Sequence, residues 1–282
     1  MDKKGIDRLY KFKSDGVYEK KELKWYSSDS KTNFNTFTKK ESEAVYNFYK
    51  GQPFTYKFNN YGFRTPDNLT KKQAGNVYLG CSHTAGVGLP FDETWVSQLN
   101  EEVGGKCFNL AVPAAAPSTM FRLLSYYKDV LKIQNVFHYS LTTSRYEFVK
   151  NLDVEVELFD YFGAYLSELE ENNKPYPHDN FIMNSLLSEE YKIIQYIITF
   201  RAIKNICDEL GVNYYLVTDV TLNDYIKNNR YRLSHFIKEN NLTFMPARDS
   251  QHYDTERHWY LFNCFLDLYR NNEIPKIDYK LF

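Results

Sequence analysis

Three residues of this chain, Ser82, Asp249 and His252, are of the types that acyl transfer needs and stand in surroundings that suit it. Ser82 lies in VYLGCSHTAGVGL (residues 77–89). A short apolar run stops at Gly80, small and polar residues follow with Gly86 and Gly88 among them, and an amphipathic segment begins near Glu93. The pattern predicts a buried strand, a tight turn and a helix start. A serine at the carboxyl end of the first strand of an open α/β sheet stands where such sheets keep their ligand crevices. It is a candidate nucleophile. The same stretch also fits a plain strand-to-helix turn.

A nucleophilic serine needs a base, and the base needs a group to orient it. The chain has six histidines. His138 and His235 fall mid-strand and mid-helix and read as packing or surface residues. His178 sits among prolines. His83 is next to Ser82, and on an extended segment its side chain would point away from the serine. His252 and His258 remain, between the last predicted strand and the closing helix. Asp249 precedes His252 by three residues. On a tight loop its carboxylate can accept from one ring nitrogen, which fixes the tautomer and stabilises the imidazolium. The pair alone would equally suit a polar loop that caps a helix. A metal site from Asp249, His252, Asp254 and His258 lacks a familiar ligand spacing.

The elements that must position these residues can be read in turn. Residues 1–75 form an N-terminal extension without sustained periodicity, in which 42–49 suits a short helix and 53–58 (PFTYKF) an edge strand. Residues 60–64 (NYGFR) read as a turn that aims Phe63 and Arg64. From 76 to 282 strands and helices alternate. Strands are expected at 77–79, 107–112, 135–141, 212–217 and 242–245. Helices are expected at 93–103, 117–133, between Ser188 as N-cap and Gly211 as C′ residue, at 221–240 and at 258–269, the helix before the fourth strand presenting Ile194, Ile197, Ile198 and Ile206 as its apolar face. Residues 150–187 break the rhythm and read as an insertion, a cap over the crevice. Five strands alternating with helices predict a parallel sheet covered on both faces, a three-layer α/β/α sandwich.

Composition narrows the function classes. The 282 residues carry a formal net charge of −1 with both signs interspersed, so no basic face points to nucleic acid. The 25 Tyr and 21 Phe are read as core and its edges. Four scattered cysteines, Cys81, Cys107, Cys207 and Cys264, form no CxxC pair and so no zinc ribbon or disulfide framework. The N-terminus (MDKKGIDRLYKF) has no apolar h-region, and no stretch has the apolar length of a membrane span. The expectation is a soluble, cytoplasmic protein; its oligomeric state is not read from the sequence.

With both blocks in view, the chain resembles the SGNH (GDSL-like) hydrolases over residues 60–275. Their first block, Gly-Xaa-Ser-Xaa-Thr-Xaa-Gly-Xaa-Gly, matches Gly80-Cys-Ser82-His-Thr84-Ala-Gly86-Val-Gly88, and Trp95 and Leu99 match the helix that follows. The second block appears as Asn109-Leu-Ala-Val-Pro-Ala114, and the last as Asp249 to His252, with His258 where a helix-start histidine often stands. The NYGFR segment is similar to one that precedes the domain in some members. Three departures stand out. Cys81 replaces the Asp of the GDS triplet. Ala114 replaces a glycine whose N–H serves the oxyanion. The third block, Leu141-Thr-Thr-Ser-Arg145, lacks the Asn that supplies a side-chain oxyanion donor. Loss of one such donor lowers turnover by about 10²–10³.

The resemblance implies a flavodoxin-like SGNH hydrolase fold and a serine esterase acting on a small acyl ester, such as acetyl on a carbohydrate or lipid. Ser82 would attack, His252 would serve as base and then acid, and Asp249 would orient it. The N–H groups of Ser82 and Ala114 would hold the oxyanion, with Thr142 or Thr143 as a further donor. No metal or organic cofactor is expected. The alternatives are an O-acyltransferase using the same three residues, and a weak or inactive protein that keeps the fold for binding or structure.

Overall fold

The computed structural model describes residues 18, 20–41, 43–51, 53–141, 145–149, 156–160, 189–218, 226–227, 247–249, 252, 254–273 and 276–277. Its centre is a four-stranded sheet of β3 (Ala74–Leu79), β4 (Lys106–Asn109), β5 (Lys132–Ser140) and β8 (Asn213–Thr218), in the order β4-β3-β5-β8. Every neighbouring pair is parallel. The fifth strand expected at 242–245 lies outside the described residues.

The strands bury both faces, which the near-continuous apolar runs require of a parallel sheet. On one face Val77, Leu79, Val136 and Leu216 meet Leu123, Leu124 and Tyr127 of α4 (Pro117–Tyr127) and Phe200 and Ile203 of α5 (Glu189–Leu210). On the other, Tyr78, Phe137, Tyr139, Tyr215 and Val217 meet Trp95, Val96 and Leu99 of α3 (Trp95–Val103) and Leu261 and Phe265 of α6 (Thr255–Arg270). The described elements therefore form an α/β fold with helices on both faces. Each large apolar side chain so buried contributes about 1.5–3 kcal/mol.

Several boundaries differ from expectation for local reasons. The helix expected over 117–133 stops at Tyr127, and the chain turns there through the Val130 and Leu131 N–H groups, both bonded to the Tyr127 carbonyl. The following strand starts at Lys132, three residues early, because Lys132 pairs with Ala74. On α5 the buried face is Tyr196, Ile197, Phe200, Ile203, Ile206 and Cys207, while Ile194 and Ile198 lie exposed on its far side. Branched apolar type alone does not choose the face; the longer i, i+3, i+4, i+7 run from Tyr196 to Cys207 does. Where a helix was expected over 221–240, the described pair Ile226–Lys227 (β9) is a strand antiparallel to Lys276–Ile277 (β10). The expected insertion contains Val156–Asp160 (β7), antiparallel to Arg145–Val149 (β6); the rest of 150–187 lies outside the described residues.

The N-terminal segment has its own small architecture. Glu22–Leu23 (β1) pairs with Tyr56–Lys57 (β2), so the expected edge strand joins this ribbon instead of the main sheet. Glu43–Gly51 (α1) is the expected short helix. The free edge of β4 is covered by side chains: Thr65 Oγ1 donates to the Cys107 carbonyl (2.9 Å), and Asp67 Oδ2 accepts the Cys107 N–H (3.1 Å). Side chains that occupy edge backbone groups in this way hinder pairing with another chain.

Candidate active site

The sheet order defines a crevice. From β3 the chain moves to β4 on one side and then to β5 on the other, so the carboxyl end of β3 is a topological switch point. Ser82 stands there, the first residue of α2 (Ser82–Ala85), with Cys81 extended as its N-cap. A Cβ on Gly80 would overlap Thr84 Oγ1 and lie 3.0 Å from the Tyr139 carbonyl. The glycine and the threonine of the motif thus require each other, and the serine follows directly from the strand end. Cys81 is buried beside it as packing.

Gly88 joins the two halves of the site. Its φ of +88° lies in the left-handed region, and a Cβ would stand 2.7 Å from Ala247 Cβ and 3.2 Å from Asp249 Oδ1. The Gly88 carbonyl accepts the Arg248 N–H at 3.1 Å. Only glycine permits both the conformation and the approach. The turn after Ser82 is thereby packed against the loop that carries Asp249 and His252.

Within that loop Asp249 Oδ2 lies 2.5 Å from His252 Nδ1, and Oδ1 accepts the His252 N–H at 3.1 Å. The carboxylate is fully buried and the His252 side chain is 10% exposed. A carboxylate only accepts, so the ring hydrogen belongs on Nδ1 and the lone pair on Nε2. The hydrogen-bonding contacts of the ring run to Asp249 and Ser28. Among the described residues none joins it to Ser82 Oγ.

The histidine set aside on sequence grounds is here too. His83 lies on a helical turn, not an extended segment, and its ring centroid is 4.8 Å from that of His252. Burial first, then the charges of His252, His258, Arg145 and Arg257, hold it well below the usual imidazole range. His258 Nδ1 accepts the Trp95 N–H (3.1 Å), which otherwise lacks a partner at the start of α3. Burial, helped by Arg64 and His252, pushes His258 down to about 3. His138 is a core residue between Tyr214 Oη and Met120 Sδ, pushed down to about 3 by burial.

These three neutral histidines make stability depend on pH. In the unfolded chain each binds a proton below about pH 6.5; in the fold His138 and His258 do so only near 3, and His83 also well below the ordinary value. Between those limits the unfolded state holds more protons at these three positions, so their contribution to stability falls as pH falls, by up to about 1.4 kcal/mol per pH unit for each group. Urea unfolding midpoints should therefore drop from pH 6.5 to pH 4.5. A flat profile would mean that the histidines protonate inside the fold.

For an oxyanion, the Ser82 N–H has no acceptor within a helix that it begins. Among the described residues neither it nor the Ala114 N–H bonds to a backbone carbonyl. Ala114 has φ +61°, the left-handed conformation that glycine would take freely; a side chain there costs about 1–2 kcal/mol. Thr142 and Thr143 lie outside the described residues. The second-block Asn109 ties the turn instead, donating to the Thr84 and Arg64 carbonyls and accepting the Ala111 N–H. Asp254 caps α6 through the Arg257 N–H. Among the described residues no three His, Cys, Asp or Glu side chains group so as to hold a metal ion.

Other polar residues complete the site, and most had no local signal. Arg64, aimed by the NYGFR turn, donates to the Ala85 (2.9 Å), Gly86 and Leu89 (2.6 Å) carbonyls and lies 4.4 Å from the Tyr56 ring centroid. Burial lowers it to about 10, so it keeps its charge at neutral pH. Tyr56 Oη accepts the Gly88 N–H (2.8 Å) and donates to Asp29. Asp29 pairs with Arg248 (2.5 Å), next to Asp249, with both side chains buried. Ser28 Oγ donates to Asp249 Oδ2.

No helix among the described residues is long and apolar enough to cross a membrane. No family model matches the sequence, and no curated protein matches it. Among solved structures, a crystal structure of TesA is similar to this chain at 11% sequence identity, over 71% of this chain and 98% of that chain, with a TM-score of 0.40.

Proposed function

We propose that the protein is a serine esterase of SGNH type that cleaves a small acyl ester on a small molecule, carbohydrate or lipid. Ser82 Oγ attacks the ester carbonyl while His252 Nε2 takes its proton, and the ring then returns that proton to the leaving alcohol. Water, activated by the same nitrogen, releases the acyl group. Asp249 holds the ring and stabilises its charged form. The Ser82 and Ala114 N–H groups receive the oxyanion, with a hydroxyl of Thr142 or Thr143 as the third donor. No cofactor takes part.

The observation that carries this reading is the buried Asp249–His252 pair packed through Gly88 against the turn that bears Ser82. The test is a fluorophosphonate probe followed by peptide mapping. Ser82 should be labelled in the native protein, and labelling should vanish in both Ser82→Ala and His252→Ala. Labelling that ignores His252 would remove the base assignment. A second reading, a binding protein that keeps the fold without turnover, is favoured by the lack of a hydrogen bond between Ser82 Oγ and the His252 ring. Catalytic hydrogen bonds are often long before substrate binds, and the esterase reading accommodates this.

A further inference from the structure

Ser28 stands 221 residues from Asp249 in sequence, yet its hydroxyl lies 2.8 Å from Asp249 Oδ2 and 3.5 Å from His252 Nδ1. The oxygen that faces the imidazole thus has a second donor. We infer that Ser28 is a positioning residue of the site, holding the Asp249 carboxylate in the rotation that meets His252. The inference rests on the esterase reading above.

The chain around Ser28 is built to keep it there. Tyr26 and Asp29 exchange backbone hydrogen bonds (2.9 and 3.1 Å), so Ser27 and Ser28 are the two central residues of a tight turn. Ser27 has φ +58°, and a positive φ at the first central position is what the primed two-residue hairpin turns require, a place usually given to glycine. The Ser28 carbonyl accepts Asn33 Nδ2 at 2.6 Å. On the other side Asp29 grips Arg248, whose neighbour is Asp249 itself. Turn and catalytic loop are therefore joined twice at adjacent residues, by a buried ion pair and by the Ser28 hydroxyl. Asp249 Oδ1 is held by the His252 N–H, and Oδ2 by Ser28. Without Ser28 the carboxylate loses a donor, distant in sequence, that helps to fix its rotation about the Cβ–Cγ bond.

Ser28→Ala and Ser28→Thr, compared with the parent, test this with two readouts. In ester hydrolysis Ser28→Ala should lower kcat about tenfold, as loss of a hydrogen bond to a charged group does, with KM unchanged. Ser28→Thr, which keeps the hydroxyl, should restore the rate. In proton NMR the His252 Nδ1 hydrogen should give a low-field resonance in the parent and in Ser28→Thr, and lose it to solvent exchange in Ser28→Ala. A resonance of the same position and width in Ser28→Ala would overturn the inference, whatever the turnover. If the parent hydrolyses no ester but Ser28→Ala still loses the resonance, the esterase reading falls and the positioning role stands.

Discussion

Asp249→Asn is expected to lower ester turnover by about 10⁴-fold while the fold persists. The physical reason is the tautomer. Asp249 Oδ2 faces His252 Nδ1 at 2.5 Å and Oδ1 holds the His252 N–H. In the asparagine variant the amide oxygen keeps the backbone N–H, and the amide nitrogen turns toward Nδ1. A donor there makes Nδ1 the acceptor, so the ring hydrogen moves to Nε2 and the lone pair that would take the Ser82 proton is gone. The volume is unchanged, and unfolding midpoints should stay near those of the parent. The measurement is kcat on a p-nitrophenyl acyl ester beside a thermal melt. A rate within a few-fold of the parent would mean that another group orients the base.

The second large effect concerns stability. Asp29 and Arg248 are 0% and 4% exposed, and the guanidinium also donates to the Lys24 carbonyl (2.8 Å) and lies 3.7 Å from the Phe54 ring centroid. Removing one partner of a buried ion pair leaves the other charge without compensation, at about 3–5 kcal/mol. Asp29→Ala should cost that much in denaturant unfolding. It should also lower ester turnover, because Arg248 sits between Gly88 and Asp249. The double variant Asp29→Leu with Arg248→Met should regain much of the stability, since neither charge is then buried. Should Asp29→Ala lose less than about 1 kcal/mol, solvent must reach Arg248 and the pair would not anchor the N-terminal segment.

The sequence by itself determined the parts of the fold that depend on near neighbours. The glycine spacing around Ser82 is legible because each position answers a local demand: Gly80 admits Thr84, and Gly86 ends α2 in the left-handed conformation. Trp95, Val96 and Leu99 announce the buried face of α3, and Asp249 with His252 makes a local pair three residues apart. Short-range sterics and helical periodicity act within a few residues, so they leave a pattern in the order of the chain.

What only the tertiary structure decided depends on partners far away in the chain. Ile194 and Ile198 have the composition of a buried face, but α5 turns them to solvent because the run from Tyr196 to Cys207 offers more apolar surface to the sheet. His83, placed on a helical turn, meets His252 across the crevice. Ser28, Asp29 and Arg248 lie in polar stretches that look like any surface loop, since a charged residue carries no sign of its burial. Their pairing spans 219 to 221 residues. Burial of a charge is decided by whether a partner arrives to compensate it, and that is settled only when the N-terminal segment closes over the carboxyl end of the sheet.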